Sequence, residues 1–434
     1  MVLIAGFAAV IAVGTVVLMT PLATVSGEWT RPIDALFTAT SAVSVTGLVV
    51  VDTGTYWSPF GHVVILLLMQ IGGFGFMTGS TLLLFLIAGR RTRLRDRILV
   101  QVSTGSPNLG SVTALVRRVA LFTLIVEGLG AVALMSGFLA QGLDPVRSAW
   151  WGVFHAVSAF NNAGFDLTGD FAGFTLYAQA PVVLLALSAL FVLGSLGFAI
   201  VSDVASKREW ARLALETKVV VPTTVALLAI GAIVIGLLEW SNPATLGTMG
   251  PGDRVVNAVF LSASRTAGFA AVPTNGLLEP ALIVLMGLMF IGGASGSTAG
   301  GIKVNTFSVL LVAIVSTARG DPSATAFGRR IPHSIVYQAI AVALLSIAAV
   351  FGVALGLEIL SEVRFLELAF EAISALGTVG LSTGITPEMP DVARLLLAVA
   401  MFAGRLGPLT LVIALTARAR PVPFRPAVET MRIG

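Results

Sequence analysis

The sequence predicts an all-α polytopic membrane protein. Four tandem helix–pore-helix–helix repeats, comprising eight spanning helices and four re-entrant pore helices, are expected around a pseudo-fourfold ion pore. Three observations predict it. The chain is 56% hydrophobic and only 11% charged, with a mean hydropathy of +0.96, outside the range of soluble globular domains. Its charges sort by sign onto alternate links between apolar runs. One eight-residue motif recurs four times at nearly constant spacing.

Runs of the roughly 20 apolar residues that cross a bilayer as a helix lie at about 2–24, 60–88, 113–140, 179–204, 219–240, 281–316, 335–360 and 392–417. The first has no Lys or Arg ahead of its apolar stretch and is long for a signal sequence, so it reads as a retained span. Eight spans put both termini on one side. The tails, the links 89–118, 205–218 and 317–334, and Lys303 together hold 19 of the 26 basic residues. The four opposite links hold only Arg31, Arg147, Arg254 and Arg364. The basic set, termini included, is therefore expected in the cytoplasm, with the chain in the bilayer of a cell membrane. Acidic residues run the other way, 15 of 22 falling in or beside the outer links. An acidic vestibule concentrates cations.

Composition also excludes several functions. With no cysteine there is no disulfide, iron–sulfur cluster or thiolate metal site. His62, His155 and His333 are scattered, so a histidine metal site is not expected. No span pairs a nucleophile with a base or carries two Asp, so an intramembrane enzyme is not expected. A net charge of +4 is no nucleic-acid footprint.

The recurring motif is S-A-x-x-x-x-G-[LF]: "SAVSVTGL" (Ser41–Leu48), "SAFNNAGF" (Ser158–Phe165), "SASRTAGF" (Ser262–Phe269) and "SALGTVGL" (Ser374–Leu381). Its glycines, Gly47, Gly164, Gly268 and Gly380, follow one another at intervals of 117, 104 and 112 residues. A phenylalanine stands ten residues before three of them (Phe37, Phe154, Phe370), and Ala258 before the third. Each unit reads as a long helix, a short amphipathic segment, the motif, then a second long helix. The short segment is too brief to span and suits a re-entrant helix. Irregular backbone at membrane depth is tolerated only where it is buried in protein or lines a watery cavity. Four such segments around one axis can offer carbonyl oxygens in place of an ion's hydration shell, and glycine lets those carbonyls point inward. The expected filter is Val45, Thr46 and Gly47; Asn162, Ala163 and Gly164; Thr266, Ala267 and Gly268; Thr378, Val379 and Gly380. The side chains before the glycines vary, as suits a site read through backbone. The repeats are expected at 1–104, 105–212, 213–326 and 327–420, with a C-terminal tail at 421–434. Inverted repeats and a midplane site would mark the alternative, an alternating-access secondary cation transporter coupled to Na+ or H+.

The third unit's second helix departs from the pattern. A continuous helix over 281–316 would be about 54 Å long against a hydrocarbon core of about 30 Å. It is interrupted by "FIGGASGSTAGGIKVNTF" (Phe290–Phe307). Five glycines at about 1 kcal/mol each argue for a break. A phosphate loop is excluded, because Ile302 separates Lys303 from the last glycine. Small-residue helix packing explains glycines but not the Ser-x-Ser-Thr cluster. Gly292, Gly293, Ser295, Gly296, Ser297, Thr298, Gly300 and Gly301 are thus expected to form a loop lining the ion path. The other second helices show no comparable break in sequence.

Arg405 lies mid-way along the last span, where an arginine costs roughly 2.5–3.5 kcal/mol on insertion scales. A role in the path, hydrogen-bonding the glycine loop, is expected. Lys303 either faces the inner mouth or snorkels to the interface. Arg265 is expected to brace the filter backbone, Asn161 and Asn162 to orient the second filter segment, and Glu127 to make an interhelical hydrogen bond. Asp52, Asp166 and Asp170 follow filters and either shape the outer mouth or sit in solvated loops.

From "PLATVSGEWTRPIDALFTATSAVSVTGL" through the glycine loop to "MFAGRLGPLTL", nearly the whole chain resembles the Trk/Ktr/HKT superfamily of cation transporters. It looks most like the bacterial KtrB-type membrane subunits. The resemblance implies potassium selectivity, because all four filter positions are glycine where serine in the first repeat favours sodium. It also implies an intramembrane gating loop at 292–301 with Arg405 as part of the barrier, and sodium stimulation. A homodimer in the inner membrane is implied, on a cytosolic ring of KtrA-like RCK-domain subunits that bind ATP, ADP or NAD(H)-type nucleotides. The C-terminal "RPAVETMRIG" would contact that partner. No covalent cofactor is expected.

Overall fold

The computed structural model describes residues 2–91 and 109–417, with side chains described for 4–79 and 114–406. The tail 421–434 with its expected partner contact, most of the basic link 89–118 and the 104/105 repeat boundary lie outside the described residues.

The order of elements is long, short, long, four times over. Helices α1 (Val2–Met19), α2 (Pro32–Ser44) and α3 (Pro59–Arg91) are followed by α4 (Leu109–Ala140), α5 (Pro145–Phe160) and α6 (Pro181–Lys207). Next come α7 (Leu215–Glu239), α8 (Pro251–Ser264) and two shorter helices, α9 (Glu279–Phe290) and α10 (Val304–Ala318). The last group is α11 (His333–Leu360), α12 (Phe365–Gly377) and α13 (Asp391–Ala417). Each short helix packs against the long helix before it, as α2 on α1, α5 on α4, α8 on α7 and α12 on α11. With 13 to 16 residues apiece, the short helices reach about 20–24 Å, less than the roughly 30 Å of a hydrocarbon core. Proline opens α2, α5 and α8, where its missing N–H costs nothing. Asp144 caps α5, accepting from the N–H groups of Val146 and Arg147.

Among the described residues five helices are long and apolar enough to cross a membrane. Ile4–Met19 is apolar but shorter, as are Glu279–Phe290 and Val304–Ala318. The last two are what becomes of the 281–316 run. The outer surface is apolar: Leu129, Val132, Leu237, Leu344, Phe351 and Ile359 are 61% to 75% exposed. In water such a surface would aggregate; against acyl chains it costs nothing. The short helices turn inward, and Phe37, Phe154, Phe260 and Phe370 on them are fully buried.

One feature departs from the sequence prediction. Gly197, inside α6, has φ 74° and ψ 164°, so a second long helix is interrupted besides the one at 291–303. Gly194 and Gly197 stand in an otherwise apolar run, a far weaker signal than five glycines in ten residues, which is why this break is silent in the sequence. The link before α11 holds a short hairpin. Thr325–Ala326 pairs antiparallel with Arg329–Arg330, turning through Phe327 and Gly328, both at positive φ, as tight hairpins require.

Candidate functional site

The four motif glycines meet in a closed ring. A Cβ placed on Gly47 would lie 2.4 Å from the Ala163 carbonyl oxygen, and one on Gly164 would lie 2.9 Å from that of Ala267. One on Gly268 would lie 2.2 Å from the Val379 oxygen, and one on Gly380 would lie 2.0 Å from that of Thr46. Each glycine thus abuts the carbonyl just before the next motif glycine, and the fourth returns to the first. All four have φ between 74° and 97°, a region that side-chain-bearing residues avoid. Glycine is required twice here, by backbone conformation and by closeness of approach. Thr46, Ala163, Ala267 and Val379 are fully buried.

Local hydrogen bonds explain the motif. Ser41 Oγ accepts from the Gly47 N–H and Ser374 Oγ from the Gly380 N–H, both at 3.0 Å. Ser158 Oγ donates instead to the Phe165 carbonyl, 2.8 Å away. In the third unit Ser262 turns to Leu228, and Ser264 donates to the Phe269 carbonyl in its place. The left-handed residue ending the short helix is Val45 in the first unit and Thr378 in the fourth, two positions before the glycine. Asn162, at the same position in the second unit, also has positive φ.

On one side the ring opens into a cavity of about 480 Å³ that touches all four glycines and is edged by Asp52, Asp166 and Glu388. Asp52 ties two loops of this rim, accepting from Thr55 and from the Phe171 N–H at 2.7 Å. Burial raises the Asp166 carboxyl above the ordinary carboxylate range, opposed by its Thr168 hydrogen bonds. Asp170 is exposed. Behind the rim, His155 accepts from the Leu167 N–H at 3.1 Å. Glu371 accepts from the Thr383 N–H at 3.0 Å and from Ser382 and Thr386. Both side chains sit nine residues before a ring glycine and hold the N–H three residues after it. That bracing role was not evident from sequence, since the two residues differ in type.

On the other side the ring is covered by residues 291–303. The base of this loop is closed by Gly292 N–H to Ile302 O at 2.8 Å and Val304 N–H to Gly293 O at 3.0 Å. Gly296 and Gly301 turn it with φ 78° and 69°. Ser295 N–H is held by Asn305 at 2.8 Å, and the Ser297 hydroxyl is buried. Thr298 Oγ1 donates to the Phe160 carbonyl at 3.0 Å and accepts from Asn162 Nδ2 at 2.9 Å. Asn162 Oδ1 in turn accepts from Thr266 at 2.9 Å. A Cβ on Gly300 would lie 1.9 Å from Thr378 Oγ1. The loop therefore touches the residues two positions before the ring glycines of the second and fourth units.

Arg405 is fully buried, donates to the Thr298 carbonyl and, at 3.2 Å, to that of Gly72, and lies 4.4 Å from the Phe76 ring centre. Lys303 folds back to the Ala299 carbonyl at 2.5 Å and lies 5.1 Å from the same ring. Glu127 does join helices, accepting from Gln70 at 3.3 Å and from Asn161 at 3.0 Å. Arg265 does not reach the ring backbone. It donates to Leu288 O at 3.2 Å and to Ile291 O. Those are carbonyls that the break leaves without intrahelical donors, and a cation at a helix C-terminus is favourable.

The model of the TrkH family, described as cation transport protein, matches residues 1–420. The chain belongs to the TrkH family. It is 40% identical over 415 residues to "Ktr system potassium uptake protein B" of Bacillus subtilis, covering 95% of this chain and 91% of that protein. It is 37% identical over 422 residues to "Potassium/sodium uptake protein NtpJ" of Enterococcus hirae, covering 96% and 92%. The fold is that of the potassium transporter TrkH from Vibrio parahaemolyticus, with TM-score 0.72, 18% identity, and coverage of 95% of this chain and 83% of that one. A TrkH-family transporter with several helices able to span a bilayer is a membrane protein, and none of these relatives is named as an enzyme.

Proposed function

We propose that this TrkH-family chain takes up potassium across the bacterial inner membrane through one pore per subunit. The ring carbonyls of Thr46, Ala163, Ala267 and Val379 form the filter, the short helices are re-entrant pore helices, and the four units are repeats at 1–104, 105–212, 213–326 and 327–420. The observation that carries the reading is the closed ring, in which each motif glycine abuts the next unit's carbonyl. Carbonyl dipoles converging in low dielectric replace an ion's hydration shell. The acidic rim raises the cation concentration at the entrance. The loop 292–301 occludes the path below, held by Arg405, whose fixed positive charge also opposes a cation there. Lys303 adds to that barrier.

Potassium as cargo is supported by the names of the relatives, one of which is named for potassium/sodium uptake; stimulation by sodium is part of the same proposal. The phrase "Ktr system" supports a further component. We assign it to a KtrA-like RCK-domain ring that binds ATP or ADP and docks on the basic cytoplasmic face of a homodimer, on the side of both termini. The gate is tested by rubidium uptake into proteoliposomes. Replacing 292–301 with a short alanine segment, or Arg405→Ala, raises the maximal rate several-fold; unchanged rates in both would sink the gate assignment.

A further inference from the structure

We infer that the break in α6 at Gly197 is the receptor half of the gate, and that Gly197 is a positioning residue for the 292–301 loop. The inference rests on the loop being the gate. In an uninterrupted α6, the carbonyls of Gly194 and Ser195 would accept from the N–H groups four residues on, at Phe198 and Ala199. Here they accept from the loop: Thr298 N–H to Gly194 O at 3.2 Å, and Ala294 N–H to Ser195 O at 2.7 Å. The conformation that frees them, φ 74° and ψ 164° at Gly197, belongs to a region populated essentially only by glycine. The loop also lies where a side chain on Gly197 would stand, since a Cβ there would be 3.0 Å from both Gly296 O and Ser297 Cα. Gly293 approaches from the loop side, its absent Cβ 2.6 Å from Ser195 O. Gly194 lies against Phe160 O and Thr298 Oγ1 in the same way. Two broken helices therefore complete each other's backbone hydrogen bonds across the path.

This exchange supplies a two-state element. When the loop leaves, α6 straightens and its own N–H groups take over the Gly194 and Ser195 carbonyls. The Gly194 and Ser195 carbonyls are then paired in either state, so the transition avoids the penalty of orphaning them. The remaining cost of moving the loop is its bonds to Arg405, Phe160 and Asn162, and a regulatory partner need bias only that difference.

The test uses the full chain in proteoliposomes, reading rubidium uptake against concentration. Gly197→Ala favours the straight helix and is expected to raise the maximal rate several-fold at unchanged half-saturating rubidium. In the loop-replaced background the same substitution is expected to add nothing. Thr298→Val, which deletes the hydroxyl joining the loop to Phe160 and Asn162, is expected to behave like Gly197→Ala, and Thr298→Ser to restore the native rate. These two carry the test should Gly197→Ala fail to yield monodisperse protein. If loop replacement raises the rate while Gly197→Ala and Thr298→Val leave it unchanged, the receptor role is overturned and the gate stands. If Gly197→Ala changes the rate equally with and without the loop, the coupling is overturned. If loop replacement itself changes nothing, the gate reading fails first.

Discussion

At the residue scale, the ring glycines are decided by geometry rather than by hydrophobicity. Gly380 has φ 97°, and a Cβ on it would sit 2.0 Å from the Thr46 oxygen. Gly380→Ala must therefore move the backbone of two units at once. Its rubidium uptake is expected to fall at least about tenfold while the protein stays monodisperse and membrane-inserted, because strain at one site in a large helical body costs only about 1–3 kcal/mol. Native uptake by this variant would remove the ring from the path. These glycines were legible in the sequence because they recur in register. The direction of each serine's hydrogen bond was not, since Ser41 accepts where Ser158 donates and only backbone placement decides which. The same holds for Glu371 and His155, which do equivalent work with unlike chemistry.

At the element scale, a helix can be broken at membrane depth only if its freed backbone groups find partners. The α9 end meets this through Arg265, which takes the Leu288 and Ile291 carbonyls. Arg265→Ala leaves both without that donor, at about 1–3 kcal/mol for a buried unsatisfied group. It is expected to lower the melting temperature in detergent and, by loosening the start of the loop, to raise the maximal rubidium rate. Arg265→Lys, which keeps a charge but loses the fork, should fall between. An unshifted melting temperature in Arg265→Ala would show that the bracing contributes nothing. The break at 291–303 was legible because five glycines cluster within ten residues. Arg265 was legible as a support but not in its target, because the α9 end lies more than 20 residues away in sequence. Gly197 was not legible, for Gly194 and Gly197 in an apolar run carry no such weight.

At the scale of the whole molecule, the charge asymmetry of the sequence sets the expected orientation: acids concentrate in the links that carry the motif and bases in the alternate links and the tails. The chain has no cysteine, so single cysteines report sidedness cleanly. A membrane-impermeant maleimide on intact cells is expected to label Ser26→Cys and spare Ser206→Cys until the membrane is opened; the reverse pattern would invert the topology. The alternation of long and short elements was legible from hydropathy and the recurring motif. The order in which the units touch around the ring, and the seating of the loop against α6, were not, because both arise from contacts about 100 residues or more apart in sequence. The central claim is that a carbonyl ring conducts potassium in preference to sodium. It is tested most directly by flux into proteoliposomes holding the purified chain, with potassium, rubidium and sodium compared side by side. Potassium and rubidium entering at channel-like rates, with sodium well below them, is the predicted result. Equal sodium and potassium rates, or uptake only against an imposed sodium or proton gradient, would contradict it.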